Sequence, residues 1–127
     1  MKKTIYASVW GCGGIEVVKI CSAKRFDLAY SLACDIADAL HNACIYLDTY
    51  TADGYKLEAV KKLGLLVTIL PRVKGTQTEP LHAMHNFIVK TIEKGQEPNW
   101  QYFHETILDF VECEYFSKEY IGYKKGV

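Results

Sequence analysis

The sequence predicts an α+β (mixed α/β) fold, a four-stranded mixed sheet with an N-terminal β-hairpin and the element order ββαβαβαα. Two alternating runs near the N-terminus flank a glycine-rich turn, which is typical of a hairpin. Apolar residues recur at helical spacing over residues 24–42 and 78–94. Short apolar runs separate the helices, and a helix between two strands favours parallel neighbours.

The hairpin is predicted over residues 4–10 and 15–20, because Gly11, Gly13 and Gly14 tolerate the positive φ that a tight turn requires. After the first helix, residues 44–50 alternate and predict a third strand. A short helix with Leu57, Val60 and Leu63 follows and ends at Gly64. Residues 65–70 are apolar on both faces, which predicts a central strand that stops at Pro71.

Two helices complete the predicted order, one over residues 78–94 and one that begins at Pro98 and Asn99. Beyond them, residues 115–127 form a tail rich in aromatic and basic side chains. The tail is predicted as a packing arm or as a loosely ordered end. We interpret residues 1–127 as one globular domain, since 127 residues with 50% apolar content suffice for a single core.

Charge and cysteine usage limit the class of protein. Fifteen basic and fifteen acidic residues give zero formal charge, which argues against a broad electrostatic contact with nucleic acid or an anionic membrane. The N-terminus lacks the continuous apolar run of a secretory leader, and no run approaches the length of about 20 residues that spans a bilayer. Five cysteines without a CxxC pair favour reduced thiols in a cytoplasmic protein.

An aromatic surface is the main candidate for binding. If the first and third predicted strands are neighbours, their aromatic rings share one sheet face. Such a face is covered by a helix, by a second subunit or by a flat ligand. A ligand there would stack on the rings, bond to a hydroxyl and a carboxylate, and place a phosphate on an arginine. The predicted ligand residues are Tyr6, Ser8, Trp10, Tyr46, Asp48, Tyr50 and Arg72.

Catalysis is the alternative. Cys12 stands among glycines in the predicted turn, where backbone amides are able to surround an anion. His85 and His104 border the apolar stripes of two helices that we expect to pack together, and they form the second candidate pair. No CxxC, Walker or GxGxxG pattern accompanies them, so neither a metal site nor a cofactor is predicted.

These observations favour a small cytoplasmic, non-enzymatic protein that binds a protein partner or a small ligand such as a nucleotide. It is expected to form a homo-oligomer through its aromatic residues, without contact to a membrane or nucleic acid. Small charge-balanced domains of this kind include accessory and inhibitor proteins of mobile elements. The alternative is a small hydrolase or transferase that acts on a nucleotide or an acyl group through Cys12 or the His85/His104 pair.

Overall fold

The structure is a computed structural model that describes residues 3–11, 13–46, 48–113 and 116–118, with the backbone alone for residues 10, 11, 117 and 118. The chain forms a β-hairpin, four helices and a short returning strand. The elements are β1 (Thr4–Gly11), β2 (Gly14–Ser22), α1 (Ala23–Ile45), α2 (Thr49–Ile69), α3 (Thr78–Glu93), α4 (Trp100–Val111) and β3 (Phe116–Lys118).

The sheet of the described residues is antiparallel and has the strand order β2-β1-β3. β1 and β2 form the predicted hairpin, paired from Thr4 and Ser22 to Gly11 and Gly14. Gly14 has a φ of 113°, which L side chains rarely adopt. The three-residue β3 pairs with the other edge of β1 as far as Ala7. The fold is α+β, but the predicted four-stranded mixed sheet and its order ββαβαβαα are wrong.

The four helices run alternately up and down, and each packs against the next, while α4 packs back onto α1. An ion pair and a hydrogen bond between helices illustrate this arrangement. Lys62 of α2 lies 3.4 Å from Asp35 in the middle of α1. At the end of the bundle near the hairpin, the Tyr30 hydroxyl donates to the Val111 carbonyl of α4 at 3.2 Å. The β-hairpin therefore lies at the end where α1 begins and where α2 and α4 end.

Where a third strand is predicted over residues 44–50, the described residues instead belong to the end of α1 and the start of α2. α1 continues to Ile45, and Tyr46 is its C-cap. Asp48 is then the N-cap of α2, and its side chain accepts a hydrogen bond from the Thr51 amide. An Asp followed by a helical run is a standard start signal, and here it outweighs the local alternation of apolar and polar residues.

The predicted central strand, residues 65–70, forms the last turn of α2 and its C-cap. Ala59, Leu63 and Leu66 of α2 and the C-cap Leu70 are buried, and their spacing of four, three and four positions is that of one helix face. Leu65 is 57% exposed, so the run is apolar on both faces without being buried on both. Gly64 lies inside the helix and does not end it.

The main core lies between the helices and continues onto one face of the hairpin. Its largest fully buried side chains come from β1 and all four helices: Phe103, Phe110, Ile5, Ile36, Leu40, Leu63, Leu66, Leu70, Leu81, Ile88 and Ile107. Phe116 of β3 joins this core through ring contacts with Phe26 and Phe110. None of the helices in the described ranges has both the length and the apolar character that spanning a membrane requires.

Neighbouring leucines distinguish the helix from a buried strand. We expect Leu66→Ala to lower the free energy of unfolding by about 2–5 kcal/mol, because the Leu66 side chain is fully buried. Leu65→Ala is the matched control and is expected to change it by less than about 0.5 kcal/mol. Urea unfolding of both variants measures the difference. Equal large losses at both positions would contradict a one-sided helix.

Candidate functional site

The predicted aromatic face does not exist as a sheet surface, because residues 44–50 are not a strand. Tyr6 lies on β1, near the start of α1, whereas Tyr46 lies at the other end of that helix. A helix of 23 residues is about 35 Å long, so the two rings are at opposite ends of the bundle. For Trp10 the structure describes the backbone alone, which lies in β1. Binding by any one of these rings stays a prediction.

Tyr46 and Tyr50 form part of a separate surface around the α1–α2 turn. Tyr46 stacks on Tyr55 of α2, with ring centroids 5.6 Å apart and planes inclined by 22°. The electrostatic influence of Tyr46 is the largest cause that raises the pKa of Tyr55 above its usual value. Tyr50 is 87% exposed. This surface is therefore aromatic and open to solvent at Tyr50.

Asp48 and Arg72 both have structural partners. The Asp48 carboxylate accepts hydrogen bonds from the Thr51 hydroxyl at 2.6 Å and from the Thr51 amide at 3.1 Å. The bond from the Thr51 side chain is the largest cause that lowers the pKa of Asp48 below its ordinary value of 3.8. The Arg72 side chain lies 3.8 Å from the Glu79 carboxylate, measured from Nε to Oε2.

The structure places His85 and His104 against different helices. His85 of α3 lies against Gly64 of α2, where an added Cβ would be 3.7 Å from Nε2. His104 of α4 is within electrostatic reach of His41 on α1, and burial is the main cause that lowers the pKa of His104. Within the described ranges, no three His, Cys, Asp or Glu side chains gather as metal ligands would. Cys12 lies outside the described residues.

A cavity of about 340 Å³ lies at the hairpin end of the bundle, and we call it the hairpin cavity. It lies between β1, the connection from α2 to α3, and the chain that leaves α4. Its lining includes Ala7, Val9, Gly75, Thr76, Gln77 and Cys113. Ser8, Ile15 and Phe116 also line it. Of the predicted site residues whose side chains the structure describes, Ser8 alone borders this space.

Ser8 borders the cavity from β1, between Ala7 and Val9. The side chains of Ala7 and Val9 point towards the helices and the α2–α3 connection. Among the described lining residues, Ser8, Thr76, Gln77 and Cys113 carry polar side chains, and the other side chains are apolar.

A group of hydrogen bonds, the hydroxyl cluster of Val73, Thr76 and Thr78, shapes the α2–α3 connection. The Thr78 hydroxyl accepts from the Val73 amide at 2.8 Å, and the Thr76 hydroxyl donates to the Val73 carbonyl at 2.8 Å. The two hydroxyls are also 2.8 Å apart. Both threonines are buried, so these bonds satisfy polar groups that water does not reach.

Gly75 brings this connection into contact with the hairpin. Its φ is 84°, and an added Cβ would lie 3.6 Å from a methyl group of Val9. The contact closes one side of the cavity. His82 of α3 fixes the start of this connection, because its Nε2 is 2.7 Å from the carbonyl oxygen of Leu70 at the end of α2.

A second, smaller recess of about 230 Å³ lies between α2 and the start of α4 at the opposite end of the bundle. Lys56 lies over the Trp100 ring, with Nζ 5.3 Å from the centroid, and 3.6 Å from the Glu97 carboxylate. Glu97 also accepts a hydrogen bond from the Trp100 indole at 2.6 Å. These groups satisfy one another, so the recess is the weaker candidate.

Comparison with protein families, with curated proteins and with solved structures gives no match for this chain. Function is therefore inferred from the hairpin cavity. Residues 72–77 connect the predicted strand 65–70 to the predicted helix 78–94, and a cavity beside them is not predicted from the sequence. The pattern of Thr76, Thr78 and Gly75 was the available signal, because it is typical of a loop that is held by its own hydrogen bonds.

The Asp48 cap predicts a pH dependence. Because its folded-state pKa is below its unfolded value, the ionised cap stabilises the fold fully above the unfolded pKa, and this contribution disappears as the pH falls through the lower folded value. We expect Asp48→Ala to lower the urea midpoint at neutral pH and the difference to close only in acid. Asp109→Ala, an exposed carboxylate on α4, is the control. A difference that stays constant down to the acid limit would contradict the cap.

Gly75 and Gly54 give opposite predictions for the same substitution. Gly75→Ala is expected to lower the free energy of unfolding by about 1–2 kcal/mol, because its φ is positive. Gly54 lies inside α2 with open space around it, so Gly54→Ala is expected to raise stability by about 0.5–1 kcal/mol. Thermal unfolding measures both. A stabilising Gly75→Ala would exclude the conformation described for the loop.

Proposed function

We propose that the protein is a small, cytoplasmic, non-enzymatic binding protein that holds a small ligand in the hairpin cavity. The cavity itself supports the proposal. Its volume of about 340 Å³ falls within the range of about 300–1,000 Å³ that is typical of small-molecule sites. A largely apolar wall with a few polar groups is also the usual composition of such sites.

The lining favours binding over catalysis. Cys113 is the thiol that borders the cavity, and a catalytic thiol requires a base within hydrogen-bonding reach. The described lining contains neither a histidine nor a carboxylate. The lining described here therefore provides apolar contacts and hydrogen bonds, and it does not provide a pair of groups for proton transfer.

The state of the cysteines supports a reducing compartment. Cys21, Cys34, Cys44 and Cys113 are free thiols, and they lie in separate parts of the fold. Burial is the main cause that raises the pKa of Cys21 and of Cys34, which keeps both protonated and unreactive at neutral pH. A cytoplasmic location is the simplest setting for such thiols.

Homo-oligomer formation stays a prediction. Large apolar side chains are exposed on every helix, including Leu28, Leu57, Phe87 and Tyr102. They do not single out one face as an interface. The ligand cavity, in contrast, is a defined place in the fold, and the proposal is tested there.

The test fills the cavity with protein atoms. Val9→Phe places a larger side chain at its wall, and Val60→Phe makes the same change on α2 at the opposite end of the bundle. Native mass spectrometry of the protein from its expression host is expected to show a retained molecule in the wild type and in Val60→Phe, but not in Val9→Phe. Toluene, as an apolar probe, is expected to shift the backbone amide resonances of Ala7 and Gly75 in the same two proteins alone.

The opposite result is equally clear. A wild-type protein that retains no molecule and shows no toluene-induced shift at the cavity would reject the proposal. So would a retained molecule that survives Val9→Phe in a folded protein, because the molecule would then bind elsewhere.

A further inference from the structure

We infer that the ligand of the hairpin cavity is an uncharged molecule with an apolar body and a neighbouring donor and acceptor, such as a carboxamide or a lactam, which pairs with the side-chain amide of Gln77. This inference rests on the proposed function. It follows from three features of the lining: the state of Gln77, the absence of charge among the described lining residues, and the occupied amides at the start of α3.

The side-chain amide of Gln77 has no hydrogen-bond partner among the described residues. It is the N-cap residue of α3, but its side chain makes no capping hydrogen bond. It is half-buried and borders the cavity, whereas the hydroxyl of its neighbour Thr76 is engaged by Val73 and Thr78. No buried side-chain nitrogen or oxygen of the described residues lacks a partner, so the Gln77 amide is open to water. A ligand that supplies both a donor and an acceptor is able to replace that water.

The described lining carries no charged side chain. On the same connection, Arg72 is paired with Glu79, and the Glu79 carboxylate also accepts from the Gly75 amide at 3.4 Å. Transfer of an ionised group into such a site is expensive unless an opposite charge meets it. A phosphate or carboxylate therefore has no counter-charge among the described lining residues.

The N-terminus of α3 borders the cavity through Gln77, and helix N-termini usually attract anions. Here the first amides are already used. The Thr78 amide donates to the Thr76 hydroxyl, the Glu79 amide donates to the Thr76 carbonyl, and Pro80 has no amide hydrogen. Glu79 adds a negative charge in the first turn. This helix end therefore does not favour an anion, whereas the side-chain amide of Gln77 is still able to bond to a ligand.

Three probes of similar size separate these properties: benzamide, benzoate and toluene. Each is titrated into the full-length isotope-labelled protein, and the amide resonances of Ala7, Gly75 and Gln77 report binding in the cavity. Benzamide is expected to bind about tenfold more tightly than toluene, which is the effect of one net hydrogen bond. Benzoate is expected to bind more weakly than benzamide by at least about tenfold.

Variants then assign the contact. Gln77→Leu removes the amide, and it is expected to reduce benzamide affinity to that of toluene while toluene still binds. Gln96→Leu, an exposed glutamine outside the cavity, is the matched control and is expected to leave all three affinities unchanged. If Gln77→Leu loses toluene as well, Gln77→Met repeats the test with an unbranched side chain.

The outcomes separate the two proposals. Benzoate that binds in the cavity as tightly as benzamide, or benzamide that is insensitive to both Gln77 variants, overturns the inference about the ligand and leaves the cavity as a binding site. No shift at the cavity with any of the three probes overturns the proposed function and, with it, this inference.

Discussion

The antiparallel contact between α1 and α2 determines the rest of the structure. This is the most extensive contact between helices of the described residues. Lys62 of α2 pairs with Asp35 of α1. Ala29 and Ala33 of α1 and Leu63 and Leu66 of α2 are fully buried. Because the two helices run in opposite directions, the end of α2 returns to the beginning of α1. The β-hairpin and the α2–α3 connection therefore meet at one end of the bundle, and the cavity forms where they meet.

The cavity persists because the connection satisfies its own polar groups. The hydroxyl cluster of Val73, Thr76 and Thr78 pairs buried hydroxyls with the backbone, so the loop does not need to collapse onto the sheet to satisfy them. Gly75 is the point of contact with Val9, and a side chain there would change the spacing. A loop that is fixed by local bonds leaves space beside it, which is a condition for a preformed ligand site.

The sequence predicted the hairpin and the first, third and fourth helical segments, because each carries a strong local signal such as the glycines of the turn or a regular apolar stripe. The strands predicted over residues 44–50 and 65–70 are wrong for a shared reason. Both are short runs rich in residues that favour strands, and periodicity over so few positions does not separate a strand from a helix. Leu63, Leu66 and Leu70 form one apolar helix face. The sequence shows this pattern only if Gly64 is taken as part of the helix and not as its end. The cavity was not predictable, since it depends on how three distant segments pack.

The cavity joins parts of the chain that are far apart in sequence. Val9 comes from the first strand, Thr76 from the middle of the chain, and Phe116 from the strand that returns to β1 after α4. β3 has only three residues, so its pairing with β1 contributes few hydrogen bonds, and the ring contacts of Phe116 supply the apolar attachment. A molecule that binds only when these segments are assembled stabilises the assembled state by mass action. Occupancy of the cavity would thus strengthen the attachment of β3 to β1. Ligand binding is linked in this way to β3, the strand with the shortest pairing in the described sheet.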